Sequence, residues 1–163
     1  MEMRYRKRGK YRMIIRSVQE EEFEIISELL MNMGKMETKG LQERFKETVQ
    51  NPNYMFIGIF RGGQALGYAI AQDYGFHLRL GKKTCRLHDL YILPEHRREG
   101  LARQLMEATF DWCKSVNATW LQWNASKESV QFYERIGCKS LGYDEEMPEF
   151  EIEFNNTILV NTS

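Results

Sequence analysis

Leu90-Tyr91-Ile92-Leu93-Pro94-Glu95-His96-Arg97-Arg98-Glu99-Gly100-Leu101-Ala102 is the stretch whose reading decides the fold. An apolar run breaks at Pro94, passes through a basic turn holding one glycine, and enters an amphipathic segment that runs to about Val116. That order predicts a strand, a short loop and the start of a helix. Amides at a helix start have no intrahelical acceptor and sit at the positive end of the dipole. Glycine lets such backbone approach a ligand closely, and Arg97 and Arg98 add cationic charge. The segment suits an anion, with phosphate the natural choice.

Outward from this stretch, elements alternate along the whole chain. Residues 12–18 read as a first strand. Ser17 and Glu20 have capping-box spacing before a helix carrying Phe23, Ile26, Leu30 and Met33, ended by Gly34. A second helix is expected over 39–49. Residues 54–60 and 65–73 form a hairpin across Gly62-Gly63, and 74–83 is a loop or strand extension. Residues 84–93 deliver the opening stretch, and Leu101, Leu105, Trp112 and Val116 line one face of the helix that follows. A short strand at 119–123 precedes a last helix capped by Ser126 and ended by Gly137. Residues 138–142 and 150–154 are the expected closing strands. The order predicts a single α/β domain over 12–155, with a mixed, mostly antiparallel central sheet flanked by helices. Residues 1–11 are expected as a basic tail and 156–163 as a C-terminal tail.

Twenty-three Lys and Arg balance 23 Asp and Glu, so no global charge favours nucleic acid or an acidic membrane. The basic leader is followed by an apolar run far too short for a signal peptide. No stretch approaches the roughly 20 apolar residues that span a bilayer. Cys85, Cys113 and Cys138 show no metal-ligand spacing with one another or with His77, His88 and His96, so no metal is expected. Reduced thiols and a cytoplasmic location follow as expectations.

The element order together with Arg97-x-x-Gly100-x-Ala102 at a strand-to-helix turn resembles the GNAT superfamily of acyl-CoA-dependent N-acetyltransferases. The resemblance extends upstream through Leu87-His88-Asp89-Leu90-Tyr91-Ile92-Leu93-Pro94, which looks like that family's central strand. It extends downstream through Phe132-Tyr133-Glu134-Arg135-Ile136-Gly137-Cys138, which looks like its Phe-Tyr-Glu-Lys-Leu-Gly-Phe segment. It covers residues 13–154. Competing phosphate loops fail, because neither Gly-x4-Gly-Lys-Ser/Thr nor Gly-x-Gly-x-x-Gly occurs.

The resemblance implies acetyl-CoA as co-substrate, with its pyrophosphate on the amides of Arg98, Gly100, Leu101 and Ala102 and a charge contact from Arg97. It implies pantetheine along the main chain of Tyr91, Ile92 and Leu93, with an amide near Ile92 polarising the thioester carbonyl. Tyr133 matches the tyrosine that protonates the leaving thiolate. Asn124 and Ser126 are the candidate pantetheine contacts. Asn124 stands nine positions before Tyr133, more than is usual in such proteins, and an ungapped match puts Ser126 at the usual asparagine.

Acyl transfer needs a neutral amine, yet alkylammonium groups have pKa values near about 10.4. His88 and Asp89 are the candidate bases, and simple strand alternation would send them to opposite faces. A small amine or polyamine is the expected acceptor, drawn by Asp73, Asp89 or the acidic run at 20–24, with Tyr74 and Phe76 beside it. A protein N-terminus or lysine, a catalytically silent acyl-CoA sensor, and a covalent route through Cys85 or Cys138 are the alternatives. Homodimers are common among such proteins, but no residue here specifies one.

Overall fold

The computed structural model describes residues 5–6 and 11–142, and the chain divides into two compact units, residues 1–124 and 125–163. The first unit is built on a six-stranded sheet in the order β1-β2-β3-β4-β5-β6. The strands are β1 (Tyr5–Arg6), β2 (Met13–Ser17), β3 (Tyr54–Arg61), β4 (Gln64–Phe76), β5 (Lys83–Ile92) and β6 (Trp120–Gln122). All neighbours are antiparallel except β5 and β6, which run parallel. The mixed, mostly antiparallel sheet is therefore as expected. Strand β1 lies inside the stretch assigned to a basic tail; it pairs Tyr5 with Ile14 and Arg6 with Met13, using the outer ladder of β2.

Helix α1 (Phe23–Met33) buries Ile26, Leu29 and Leu30, and α2 (Leu41–Gln50) buries Phe45. They close one face of the sheet over Val18, Phe56, Phe60, Tyr68 and Tyr91. Alternation sends Ile57, Ile59, Ala69, Cys85 and Leu87 to the other face, where α3 (Leu101–Ser115) lies and buries Leu105, Met106 and Cys113. Cys113 meets Cys85 across that interface. At the 3-10 turn Glu20–Glu22 that leads into α1 the reciprocal cap runs from the Gln19 amide to the Glu22 carboxylate at 2.8 Å, two residues beyond the Ser17–Glu20 box expected from spacing. Ser17 instead completes β2 in register with Ile57. The β3–β4 turn holds Gly62 and Gly63 at φ of 57° and 85°, the left-handed pair that a two-residue hairpin demands.

In the second unit α4 (Val130–Arg135) begins after Ser129, not after Ser126. The Ser129 amide bonds the Ser126 carbonyl at 2.9 Å, so Ser126 opens the preceding turn and Ser129 takes the cap position. Gly137, at φ 92°, follows the last turn as expected, and the Cys138 amide bonds the Tyr133 carbonyl at 3.0 Å. Residues 138–142 form no strand, and Leu141 is 85% exposed. A strand needs a ladder partner, and the partner expected at 150–154 lies outside the described residues.

Candidate active site

Strand β5 leads directly into the turn that opened the sequence reading. The Leu93 amide donates to the Leu66 carbonyl at 2.9 Å, and Pro94–His96 make one 3-10 turn. The backbone then reverses through Arg98 at φ 65° and Gly100 at φ 79°. A left-handed arginine costs about 1 kcal/mol or more, and such local strain concentrates at binding turns. Helix α3 starts at Leu101 with no side chain capping it. The Gln104 amide, bonded to the Gly100 carbonyl at 3.2 Å, is the first with an intrahelical acceptor. The amides of Leu101, Ala102 and Arg103 therefore stand at the positive end of a four-turn helix. A diphosphate fits this arrangement.

Side chains around the turn are already committed. Arg97 turns back, its Nε donating to the Ile92 carbonyl at 3.1 Å and its guanidinium lying 5.8 Å from the Tyr91 ring centre. Its expected charge contact to the anion is thus reduced to the remaining guanidinium nitrogens. Glu99 accepts from Arg61 Nη2 at 2.6 Å and meets His96 Nδ1 at 3.0 Å. Those two partners, Arg61 first, hold the Glu99 carboxyl below its ordinary range.

The β5 edge opens where it is needed. Strand β6 pairs with β5 only at Thr84, Cys85 and Arg86. Among the described residues nothing continues that ladder past Arg86. Because the Leu93 amide faces β4, alternation points Tyr91 the same way and Ile92 to the open edge. Of the three residues expected along pantetheine, Ile92 offers its amide to the cleft, its carbonyl already accepting from Arg97 Nε, while Tyr91 and Leu93 pair with β4. By the same alternation Leu90, not expected from sequence, faces the cleft with Ile92.

The β4–β5 ladder skips one residue at His88: Ile70 pairs with Asp89 and Ala71 with Leu87. This bulge breaks the alternation, so the expected opposite orientation of His88 and Asp89 is corrected. Asp89 shares the α1/α2 face with its partner Ile70, which packs on that core. On the same face His88 Nε2 meets Gln72 Oε1 at 2.9 Å, and its ring lies 6.1 Å from Tyr54 and 6.2 Å from Tyr74. Burial lowers the His88 pKa, with Asp89 opposing that shift and Arg86 adding to it. Burial raises Asp89, partly offset by His88. Both shifts suit proton acceptance: a neutral imidazole beside a carboxylate more basic than usual. Burial, then the Asp89 charge, also pushes the neighbouring Tyr68 hydroxyl up, and that hydroxyl donates to Met33 Sδ at 3.0 Å.

Other acidic candidates are engaged elsewhere. Asp73 pairs with Lys83 at 2.9 Å and accepts from the Gly75 amide at 2.8 Å. Glu20 pairs with Lys46 and Glu22 with Arg16, so the acidic run serves the local fold. Tyr74 and Phe76 are 55% and 70% exposed rather than packed in the sheet. Asn124 is exposed at the end of the first unit and accepts from Arg86 Nη2 at 3.3 Å. In the second unit, Ser126 Oγ lies 2.8 Å from Ser129 Oγ. Tyr133 is half-buried on α4, 5.0 Å from the Phe132 ring, and burial, then Cys138, raises its pKa. Cys85 and Cys113 are buried, with Cys113 pushed up to about 12 by burial and by Cys85, so both are poor nucleophiles at neutral pH. Burial raises Cys138 as well. No cluster of three His, Cys, Asp or Glu gathers among the described residues, and no described helix is long and apolar enough to cross a membrane.

Gln72, Leu90 and Arg61 carried no signal in sequence, since only the sheet brings each beside its neighbours at this site.

Comparison with known proteins places this geometry. A family model described as the acetyltransferase (GNAT) family matches residues 15–138. An uncharacterized N-acetyltransferase of Archaeoglobus fulgidus is 33% identical over 55 residues; the match spans 34% of this chain and 37% of that relative. The glucosamine-6-phosphate N-acetyltransferase of Arabidopsis thaliana shares the fold with TM-score 0.71 at 20% identity, over 85% of this chain and 97% of that one. An aminoglycoside N-acetyltransferase solved with CoA gives TM-score 0.73 at 18% identity, over 93% and 98%. The ribosomal-protein-alanine N-acetyltransferase of Brucella melitensis gives 0.68 at 17%, over 88% and 99%.

Proposed function

The chain belongs to the acetyltransferase (GNAT) family, and from that premise we propose that it transfers an acetyl group from acetyl-CoA to a primary amine, a small amine or polyamine, by direct attack in a ternary complex. The observation that carries this is the opening of the β5–β6 pair after Arg86, which leaves the Ile92 amide on an edge that no other described residue pairs, beside an uncapped helix start. Acetyl-CoA supplies the acyl group as a thioester. The amides of Arg98, Gly100, Leu101 and Ala102 hold its pyrophosphate, and the main chain of Leu90 and Ile92 holds the pantetheine arm. The Ile92 amide stabilises charge developing on the carbonyl oxygen.

His88 and Asp89 take the proton from the acceptor ammonium. Neutral His88 accepts it near physiological pH, and Asp89 holds the cation. The rings of Tyr54 and Tyr74 offer π-faces to the same cation. Tyr133, kept protonated by burial, returns a proton to the leaving sulfur. Asn124 and Ser126 are carried over from the family resemblance as secondary pantetheine contacts.

Free-thiol release from acetyl-CoA, measured across mono-, di- and polyamines, amino sugars and peptides, tests this reading. Acceptor-dependent release with an alkyl amine supports it. Release only with peptides moves the acceptor to a protein N-terminus or lysine, the reading favoured by the exposed apolar run of Tyr74, Phe76, Leu78 and Leu80. Tight CoA binding without acceptor-dependent release defeats transfer and leaves an acyl-CoA sensor.

A further inference from the structure

Glu99 is the one acidic residue between His96 and Ala102, in a turn whose amides await an anion. A bare carboxylate there opposes a diphosphate, and across a few ångströms this weakens binding by about tenfold or more. The fold supplies a partner from a distant strand. Arg61, the last residue of β3, reaches Glu99 Oε2 through Nη2 at 2.6 Å, while His96 holds the other carboxylate oxygen at 3.0 Å. Among the described residues Arg61 Nε is buried without a hydrogen-bond partner, and Nη2 of the same guanidinium bonds Glu99. Glu99 also sits between the two left-handed residues, Arg98 and Gly100. Anchoring its side chain to β3 restrains the backbone on both sides.

We infer that Arg61 is a positioning residue for acetyl-CoA: by pairing with Glu99 it neutralises the carboxylate in the pyrophosphate turn and holds the turn against the β3–β4 hairpin. It touches neither the reacting atoms nor the acceptor. Its effect lies in donor affinity, and the inference rests on the donor site proposed above. The planar guanidinium matters, since a lysine gives a single point contact and restores only part of the function.

The experiment is calorimetric titration of CoA into the full chain, paired with steady-state kinetics. For Arg61→Ala, CoA affinity falls about tenfold and KM for acetyl-CoA rises in step, while kcat at saturation and the acceptor KM stay within about twofold. In the double variant Arg61→Ala with Glu99→Gln, affinity returns to within about threefold of the unaltered protein, because the uncompensated charge is gone. A purely structural arginine would leave the double variant as weak as the single one. Either that result, or Arg61→Ala binding CoA within about twofold of the unaltered protein, overturns the inference. If Arg61→Ala does not fold, Arg61→Gln is held to the same limits. The titration needs no acceptor and no turnover, so its failure is separate from failure of the transfer reading, which the amine panel decides.

Discussion

A β-carbon on Gly67 would lie 2.4 Å from the carbonyl oxygen of Tyr91 and 2.5 Å from Ile92 Cδ1. Gly67 pairs with Ile92 across the β4–β5 ladder. The missing side chain lets β4 press against β5 just where the far edge of β5 is open. Gly67→Ala must push Tyr91 and Ile92 toward the cleft. Overpacking of this kind costs about 1–3 kcal/mol, which lowers the melting temperature by roughly 3–10 °C. CoA affinity falls with it. A melt within about 1 °C of the unaltered protein would show that the strands absorb the methyl without moving.

The shared face of His88 and Asp89 makes a pH prediction. A catalytic base works deprotonated, so activity falls as pH drops through its folded-state pKa. Burial lowers that pKa for His88, so the acid limb of kcat/KM lies below the ordinary histidine value of about 6.5. The limb belongs to the coupled pair, because Asp89 opposes the shift. His88→Gln lowers kcat by about 10²-fold and changes the limb, whereas Asp89→Asn chiefly raises the acceptor KM. An unaltered pH profile in His88→Gln removes His88 from the mechanism.

Tyr133 is tested at its hydroxyl alone. Tyr133→Phe keeps the ring and its contact with Phe132, and lowers kcat by about 10²-fold with CoA affinity held within about twofold. Full kcat under saturating substrates would assign the proton to solvent.

Gly100 separates backbone strain from crowding. Its φ is 79° and nothing lies within 4 Å of a β-carbon built there, so a substitution meets no clash. Gly100→Val weakens CoA binding through the dihedral alone, by about 1–2 kcal/mol or roughly tenfold. Gly100→Asn, which tolerates the left-handed region, loses about threefold or less. Equal losses in both would show that the turn needs more than its φ.

The strand, turn and helix start around Arg97 to Ala102 were legible in the chain because they are local. Arg97 to Ala102 spells a strand, a turn and a helix start, and amides of a helix start bind anions whatever surrounds them. The hairpin expected at 54–60 and 65–73 was equally plain, since Gly62-Gly63 sets its turn, and the second strand runs on to Phe76. The sequence misplaced what depends on a partner. Ser129 displaced Ser126 at the last cap because hydrogen bonds in the preceding turn, not residue type, set where the helix begins. Residues 138–142, expected as a strand, form no ladder among the described residues, and their expected partner at 150–154 lies outside them.

By itself, then, the sequence determined the family, the order of elements from β2 to α4 and the strand-turn-helix geometry at Arg97 to Ala102, all carried by near neighbours in the chain. Only tertiary structure decided that His88 and Asp89 face one way, since a bulge exists only against the opposite strand, Ile70 and Ala71 here. The same holds for the turn stretch with which the sequence reading began. Its amides are local, but the compensation of Glu99 comes from Arg61, 38 residues earlier, and pairing across that distance exists only once the sheet has formed.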